Sequence, residues 1–184
     1  MTRQETRDTR GLILATAREM FSAQTYRAAS MRAIAERVGI TKPSLYHHFR
    51  SKAEILECLI SGPVNELEAA VEEAARASDP TEVQRRVLRG CVDVILEHRD
   101  VMALLFRDAS VYTNEATDLV SRTLAIAERA TGLLAGPDPD WRARLRAFQA
   151  FAAATDPIAH FSDASGDELR EELLAGAYAL LKLD

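Results

Sequence analysis

The sequence lacks the features that mark secreted or membrane-spanning proteins. It has only two cysteines, Cys58 and Cys91, which excludes a framework of several disulfides. No secretory signal is recognisable, and no apolar run approaches the roughly 18 residues that would span a bilayer. We therefore expect a protein of the reduced cytoplasm. Both cysteines lie on predicted apolar helix faces, which favours core packing over redox sensing.

Motifs for catalysis are also missing. The chain has no nucleophile elbow, phosphate-binding loop, cluster with metal-ligand spacing or convergent carboxylates. His98, Asp156 and His160 are scattered and share no spacing. The adjacent His47 and His48 favour no metal, because neighbouring residues of a helix point about 100° apart. We expect no enzyme activity, no cofactor and no metal.

Strand patterns are absent as well, and helical ones fill the chain. Beyond the first 50 residues no segment alternates apolar and polar residues, and apolar side chains recur instead at a spacing of about 3.6 residues. The sequence therefore predicts an all-α fold of about nine helices. With 184 residues, of which 47% are hydrophobic, the chain can bury the core of one or two domains.

The segment from Ser30 to Lys52 predicts two short helices joined by a tight turn. Ser30 is a good N-cap for a helix over residues 31–38, and Gly39 ends that helix because glycine adopts a left-handed conformation cheaply. Thr41 caps the next helix, and Pro43 falls in its first turn, where a missing N–H costs nothing. Two helices joined in this way are typical of proteins that read the DNA major groove.

Charge is distributed unevenly along the chain. Residues 1–53 contain ten Lys or Arg against four Asp or Glu, a net charge of +6, whereas the remaining residues carry a net charge of −11. The N-terminal part therefore suits a polyanionic partner although the net charge of the whole chain is −5.

Helix-breaking and helix-starting residues divide the remaining chain into separate helices. Gly62-Pro63 is expected to kink or break the helix that follows Ser51, either as a functional hinge or as a plain packing kink. Pro157 is expected to bend a later helix. Helix starts are predicted at Ser51 with Glu54, Asp79-Pro80, Asp138-Pro139 and Ser165 with Glu168.

The motif of residues 10–57 resembles the DNA-binding domain of the TetR (tetracycline-repressor-like) family of bacterial regulators. Its most specific part is Leu45-Tyr46-x-His48-Phe49-x-Ser51-Lys52. Thr25 stands where the family usually has glycine, so the chain is expected to leave the first helix by a different turn. The remaining matches are Leu14, Ala15, Ala17, Phe21, Tyr26, Ser30, Ile34, Ala35, Gly39, Ile40 and Leu56.

The resemblance implies roles for individual residues in DNA binding. Base contacts are expected from Lys42, Ser44 and His47, and a base or phosphate contact from Arg32. Phosphate anchors are expected in Thr41, Tyr46 and Lys52, with core packing as the alternative for the Tyr46 ring. His48 is expected to be an orienting hydrogen-bond partner. Ser30 and Pro43 complete the predicted interface, and Arg3 and Arg7 are either arm contacts or solvated.

The resemblance also implies a C-terminal control region. Residues 1–50 would form the helix-turn-helix domain, and residues 51–184 would bind a small apolar or amphipathic effector and form a homodimer on a palindromic operator. The candidate effector residues are Phe106, Arg107, Tyr112, Trp141, Phe148, Phe151, Asp156 and His160. The candidate dimer residues are Trp141, Leu145, Phe148, Leu169, Leu173, Gly176, Ala177 and Leu180, with an intramolecular core stripe as the alternative.

Two alternatives to an effector-controlled repressor stay open from the sequence. The helix pair could serve protein contacts in a helical interaction module, or the chain could be a regulator without a small-molecule effector. The net charge of +6 on the N-terminal residues favours DNA over a protein partner.

Overall fold

The computed structural model describes residues 3–107, 117–161 and 163–183, and the side chains of residues 3–7, 105–107 and 117 are not described. Within these ranges the chain is all-α and contains no strand, as the sequence predicts. The helices are α1 (Arg3–Ala23), α2 (Met31–Val38), α3 (Lys42–His48), α4 (Lys52–Ala74), α5 (Pro80–Glu97), α6 (Arg99–Arg107), α7 (Thr117–Ala135), α8 (Trp141–Thr155) and α9 (Gly166–Leu181), with a 3-10 helix at Asp156–Ala159.

Most of the predicted helix starts are confirmed by their capping hydrogen bonds. In each case a side-chain oxygen accepts a bond from the N–H three residues later, which satisfies one of the free donors of the first turn. The distances lie between 2.9 and 3.3 Å. The residues that cap in this way are Ser30, Thr41, Ser51 and Asp79.

Three predicted signals act differently from expectation in the C-terminal part of the chain. The Ser165 side chain makes no capping bond, although α9 begins directly after it. Pro157 does not bend α8, because that helix already ends at Thr155 and the proline lies inside the 3-10 helix. The start predicted at Asp138-Pro139 is displaced by two residues, since Asp140 caps α8 and accepts from the Ala143 N–H at 2.7 Å.

Of the kink or break predicted at Gly62-Pro63, the break is wrong. Helix α4 continues through Pro63 from Lys52 to Ala74, with Pro63 buried and Gly62 exposed. A proline inside a helix removes one backbone hydrogen bond. Burial of Pro63 and its apolar neighbours compensates for that loss.

One hydrophobic core extends through the described part of the chain, from Ile13 in α1 to Ala177 in α9. Helix α4 lies at its centre and packs against α1, α5, α6 and α7, while α8 packs between α7 and α9. Helices α4 and α5 come close together at Gly90 in α5, where an added Cβ would lie 3.0 Å from the Cβ of Ala70 in α4. Gly90 therefore permits the close crossing of α4 and α5.

Helix α1 contacts both the α2–α3 helix pair and the helices that follow it. It packs against α2 on one side and against α4 and α6 on the other. At its α6 side, the Arg18 guanidinium forms a two-pronged ion pair with the Asp100 carboxylate. None of the described helices combines the length and apolar composition that a membrane crossing requires.

Gly90→Ala should destabilise the protein by about 0–2.5 kcal/mol, the difference between a steric cost and a gain in helix propensity. The helix itself gains about 0.5–1 kcal/mol from alanine, but the new methyl group is forced against Ala70 at a cost of about 1–3 kcal/mol. Urea unfolding at fixed protein concentration measures the difference. Gly132→Ala in α7 is the matched control: an added Cβ meets no heavy atom within 4 Å there, so the variant should be more stable than wild type. A Gly90→Ala protein as stable as the control variant would contradict the crossing argument.

Candidate nucleic-acid interface

The turn between α2 and α3 is built around Gly39. Its φ is +80°, a left-handed conformation that side-chain-bearing residues rarely adopt. The N–H groups of Gly39 and Ile40 both donate to the carbonyl of Ala35 at 3.0 Å, which closes the end of α2. The turn fixes the angle at which α3 leaves α2.

Helix α3 is anchored by one face and exposes the other. The side chains of Leu45 and Phe49 are completely buried, while Ser44 and His48 are half-buried. The outward residues therefore form a continuous polar surface on a fixed helix. The exposed members of the predicted interface are Thr41, Lys42, Pro43, Tyr46 and His47.

Tyr46 is exposed rather than packed in the core, which excludes the alternative considered for its ring. The ammonium group of Lys42 lies 5.7 Å from the centroid of this ring, within range of a cation–π contact. These two side chains therefore share one exposed patch near the start of α3. Their contacts with DNA stay a prediction.

The two predicted contacts from α2 are also on the surface. Ser30 is exposed, and its hydroxyl oxygen already accepts the capping bond from Ala33. Arg32 donates to Glu36 at 2.7 Å, and this hydrogen bond raises the pKa of the guanidinium. Arg32 must exchange the Glu36 carboxylate for a phosphate or base in order to touch DNA.

The orienting hydrogen bond expected of His48 is not made by its Nε2 atom and otherwise stays a prediction. This atom is buried and has no partner within the described part of the chain. Burial, followed by the nearby charges of His47 and Arg10, lowers the pKa of His48 below its usual value. The ring is therefore neutral at neutral pH and packs at the end of α3.

Lys52 has an internal role that sequence reasoning missed. Its ammonium group donates to the carbonyls of Tyr26 at 2.7 Å and Ala29 at 2.9 Å, and lies 4.2 Å from the centroid of the Tyr26 ring. Lys52 thereby ties the start of α4 to the connector that leads into α2. A phosphate contact from Lys52 stays a prediction, but its described bonds are to the protein itself.

The connector held by Lys52 leaves α1 by a turn that suits Thr25. The carbonyl of Thr25 accepts from the N–H groups of Ala28 and Ala29, and its φ is not positive. The Thr25 hydroxyl accepts a further bond from Ala28 at 3.3 Å. The chain thus avoids the left-handed residue that a glycine would allow, as expected.

Two exposed arginines close to this surface were also missed. Arg27 follows Tyr26 in the connector held by Lys52, and Arg50 directly follows the α3 cap. Like the Lys42 ammonium, neither guanidinium pairs with a carboxylate among the described residues. Arg18, Arg32 and Arg37 are instead paired with Asp100, Glu36 and Glu19. Positive charge without an ion-pair partner is therefore present next to α3 in the chain, where it can meet phosphates.

The candidate effector residues are not brought together around a cavity. Trp141 and Phe148 point outward from α8, Asp156 and His160 are exposed, and Phe151 is half-buried. None of these five side chains lines the cavities beside Phe21, Val71 or Leu169. The side chains of Phe106 and Arg107, and the whole of Tyr112, lie outside the described residues.

The candidate dimer residues separate into an inner and an outer set. Leu169, Leu173 and Ala177 are buried within the chain, so the intramolecular alternative is correct for them. On α8 the inward stripe consists of small residues, including Ala147, Ala150 and Ala154. The large residues Trp141, Leu145 and Phe148 are 57%, 47% and 63% exposed, and Leu180 and Gly176 on α9 are exposed as well.

A cluster of three side chains at the α4–α5 contact offers atoms that a metal could use. Ligand atoms of Glu66, Glu97 and His98 lie within 4.8 Å of one another, and both carboxylates are exposed. The His98 Nε2 atom is 2.8 Å from a Glu66 carboxylate oxygen. That pairing alone accounts for the cluster, because it joins α4 to the end of α5.

Comparison with known protein families supports the motif resemblance. The family model described as "Bacterial regulatory proteins, tetR family" matches residues 13–59, the segment that contains α2 and α3. The chain is 38% identical over 88 residues to the transcriptional activator FasR of Mycolicibacterium smegmatis, a match that covers 48% of this chain and 39% of FasR. It is 32% identical over 100 residues to the transcriptional repressor KstR2 of Mycobacterium tuberculosis, covering 54% and 50%. The matches thus span half or less of these relatives.

Solved structures show similarity over nearly the whole fold. SCO3833 of Streptomyces coelicolor, a TetR regulator, matches with a TM-score of 0.76 at 27% identity, over 94% of this chain and 90% of that one. PfmR of Thermus thermophilus matches with a TM-score of 0.75 at 24% identity, over 92% and 97%. The family model and these relatives are described as transcriptional regulators, and none of them is named as an enzyme.

Lys52→Met should destabilise the protein by about 1–3 kcal/mol, because two partly buried carbonyls lose their donor while the apolar stem is kept. Thermal or urea unfolding measures this loss. The control is Lys42→Met on the exposed face of α3, which should stay within about 0.5 kcal/mol of wild type. Equal stability of the two variants would show that the Lys52 bonds hold nothing together.

Proposed function

We propose that this chain is a member of the tetR family of bacterial regulatory proteins, binds double-stranded DNA through α2 and α3 and regulates transcription. The observation that carries the proposal is the geometry of α3. Its inner face is locked by Leu45 and Phe49, and its outer face presents Lys42, Tyr46 and His47 to solvent. A fixed helix with exposed donors along its outer face is the arrangement that enters a major groove.

The distribution of charge supports the same partner. Around α3 the exposed cations Arg27, Lys42 and Arg50 have no carboxylate partner in the described ranges, and residues 1–53 carry a net charge of +6. Phosphate neutralisation supplies most of the non-specific affinity of such proteins. A protein-binding module would have no need of this unpaired charge, so we favour DNA over that alternative.

The proposed division of labour places DNA binding in residues 1–50 and control in residues 51–184. The Lys42, Ser44 and His47 side chains would contact bases, with Arg32 able to contact a base or phosphate. Thr41 and Tyr46 would hold phosphates. Ser30, Pro43, His48 and Lys52 would shape and support this surface.

We propose that the working form is a homodimer through α8 and α9. Trp141, Leu145 and Phe148 are large apolar side chains at helical spacing, and they stay exposed in the single chain. Exposed Gly176 and Leu180 on the neighbouring α9 allow close approach of a second copy. Two-fold pairing would place two α3 helices about 34 Å apart, or a multiple of this distance, on a palindromic operator.

The proposed mode of regulation is repression that a small apolar or amphipathic effector relieves. The relative KstR2, whose match covers 54% of this chain, is named a repressor, whereas FasR is named an activator. A dimer seated on an operator blocks access of polymerase to an overlapping promoter. A reporter gene behind the neighbouring promoter should therefore rise when the gene for this protein is deleted, and a fall would reverse the proposed sign.

Lys42→Ala should weaken binding to the specific site by about 1–3 kcal/mol, because a base-contacting cation is lost. Mobility shift of the promoter DNA next to the gene measures the affinity, and wild-type binding should fall steeply with salt. Arg76→Ala serves as the control, since this exposed arginine at the end of α4 pairs only with Glu73 among the described residues. No shift by the wild-type protein at low salt would overturn the DNA-binding proposal.

Phe148→Glu should convert the dimer to a monomer, because the charge would be buried in the centre of the proposed interface. Light scattering after gel filtration at micromolar concentration gives the mass. The matched control is Leu12→Glu, which places the same charge on an exposed leucine of α1 and should leave the dimer intact. A wild-type mass equal to one chain would refute the interface.

A further inference from the structure

The largest cavity described in the chain lies where α1 meets α6. One wall comes from the end of α1 and the connector behind it, with Phe21 and Thr25; the other comes from α6 and the 3-10 helix, with Arg99, Ala103, Leu104 and Ile158. Its volume is about 460 Å³, within the range of small-molecule sites. None of the predicted effector residues whose side chains are described contributes to it.

The cavity is apolar at its base and polar at its mouth. Phe21, Leu104 and Ile158 supply buried apolar surface, and the half-buried Ala103 leaves room beside them. The exposed side chains of Gln24 and Thr25 lie at the rim. Such a wall favours a molecule with an apolar body and one polar end.

The charged residues of the cavity wall determine whether the polar end of a bound ligand would be anionic or cationic. Arg99 is the one cation among the described wall residues; its guanidinium donates to the Ala164 carbonyl at 3.2 Å and has no carboxylate partner in the described ranges. The neighbouring Asp100 is already paired with Arg18. Burial alone would raise the pKa of Asp100, but the Arg18 hydrogen bond and charge outweigh it and lower that pKa, so the pair is ionised and neutral in sum. The Arg99 charge is the one left to attract a ligand.

We infer that this cavity binds a small amphipathic carboxylate, with its apolar part against Phe21, Leu104 and Ile158 and its carboxylate on Arg99. A half-buried guanidinium holds a carboxylate through parallel hydrogen bonds, which neither an alcohol nor an amine reproduces. The inference concerns a binding site, and only its regulatory consequence rests on the proposed DNA-binding function.

The position of the site gives it a means of control. A ligand that touches both walls favours one arrangement of α1 relative to α6, and its carboxylate repels Asp100 and loosens the Arg18–Asp100 pair. Because α1 packs against α2, a shift of α1 reaches the DNA-binding surface. Ligand and DNA must then change each other's affinity by the same factor.

Calorimetric titration of the DNA-free protein with decanoate, below its micelle-forming concentration, tests the site. Decanol is the uncharged probe of equal length. We expect one decanoate per chain, bound at least tenfold more tightly than decanol. Arg99→Gln should lose at least tenfold in decanoate affinity with decanol unchanged, and Ala103→Phe should weaken both by filling the cavity. Arg76→Gln is the control and should bind decanoate as wild type does.

Absence of decanoate binding, or equal binding by wild type, Arg99→Gln and Ala103→Phe, would overturn the site. Thermal unfolding verifies that the variants are folded, and Ala103→Leu replaces the phenylalanine variant if that protein is unstable. A mobility shift without decanoate tests DNA binding separately, so either claim can fail while the other holds. If DNA binds, saturating decanoate should weaken it at least threefold in wild type and not in Arg99→Gln; an unchanged affinity would overturn the regulatory consequence.

Discussion

The orientation of α3 depends on how firmly α4 is fixed at its first turn. Three residues separate the end of α3 from the start of α4, which Ser51 caps and which then runs through the centre of the core. The Lys52 ammonium adds a tie to the connector before α2, through the carbonyls of Tyr26 and Ala29. The helix pair is thus held from both ends by one residue. A displacement of α4 along its axis cannot leave α3 where it was.

Structural features that depend only on residues up to four positions apart were predictable from the sequence. The caps at Ser30, Thr41, Ser51 and Asp79 need only a hydroxyl or carboxylate and the N–H three residues later. Gly39 is fixed by its own backbone conformation. The fold class, the helix pair and its inward residues followed from these local rules, because helical periodicity records which face is covered.

Features decided by tertiary contacts were not predictable in the same way. Pro63 is compatible with an unbroken α4 because the surrounding core holds the helix, and no local rule contains that information. On α8 the larger side chains face outward and the alanines face inward. Side-chain size alone therefore placed Trp141 and Phe148 in a pocket, whereas both are exposed. The Arg18–Asp100 pair joins positions 82 residues apart, and no spacing rule connects them.

The two stripes of α8 have different consequences for how the protein responds to its own concentration. The alanine stripe is buried in every copy, so its contribution to folding is the same at any dilution. In the proposed dimer the aromatic stripe is covered only after two copies meet, and its contribution grows with protomer concentration. One face of α8 would therefore stabilise the folded chain, and the other face would stabilise the dimer. The cellular concentration of the protein would then determine the fraction of chains that are dimeric and able to span an operator.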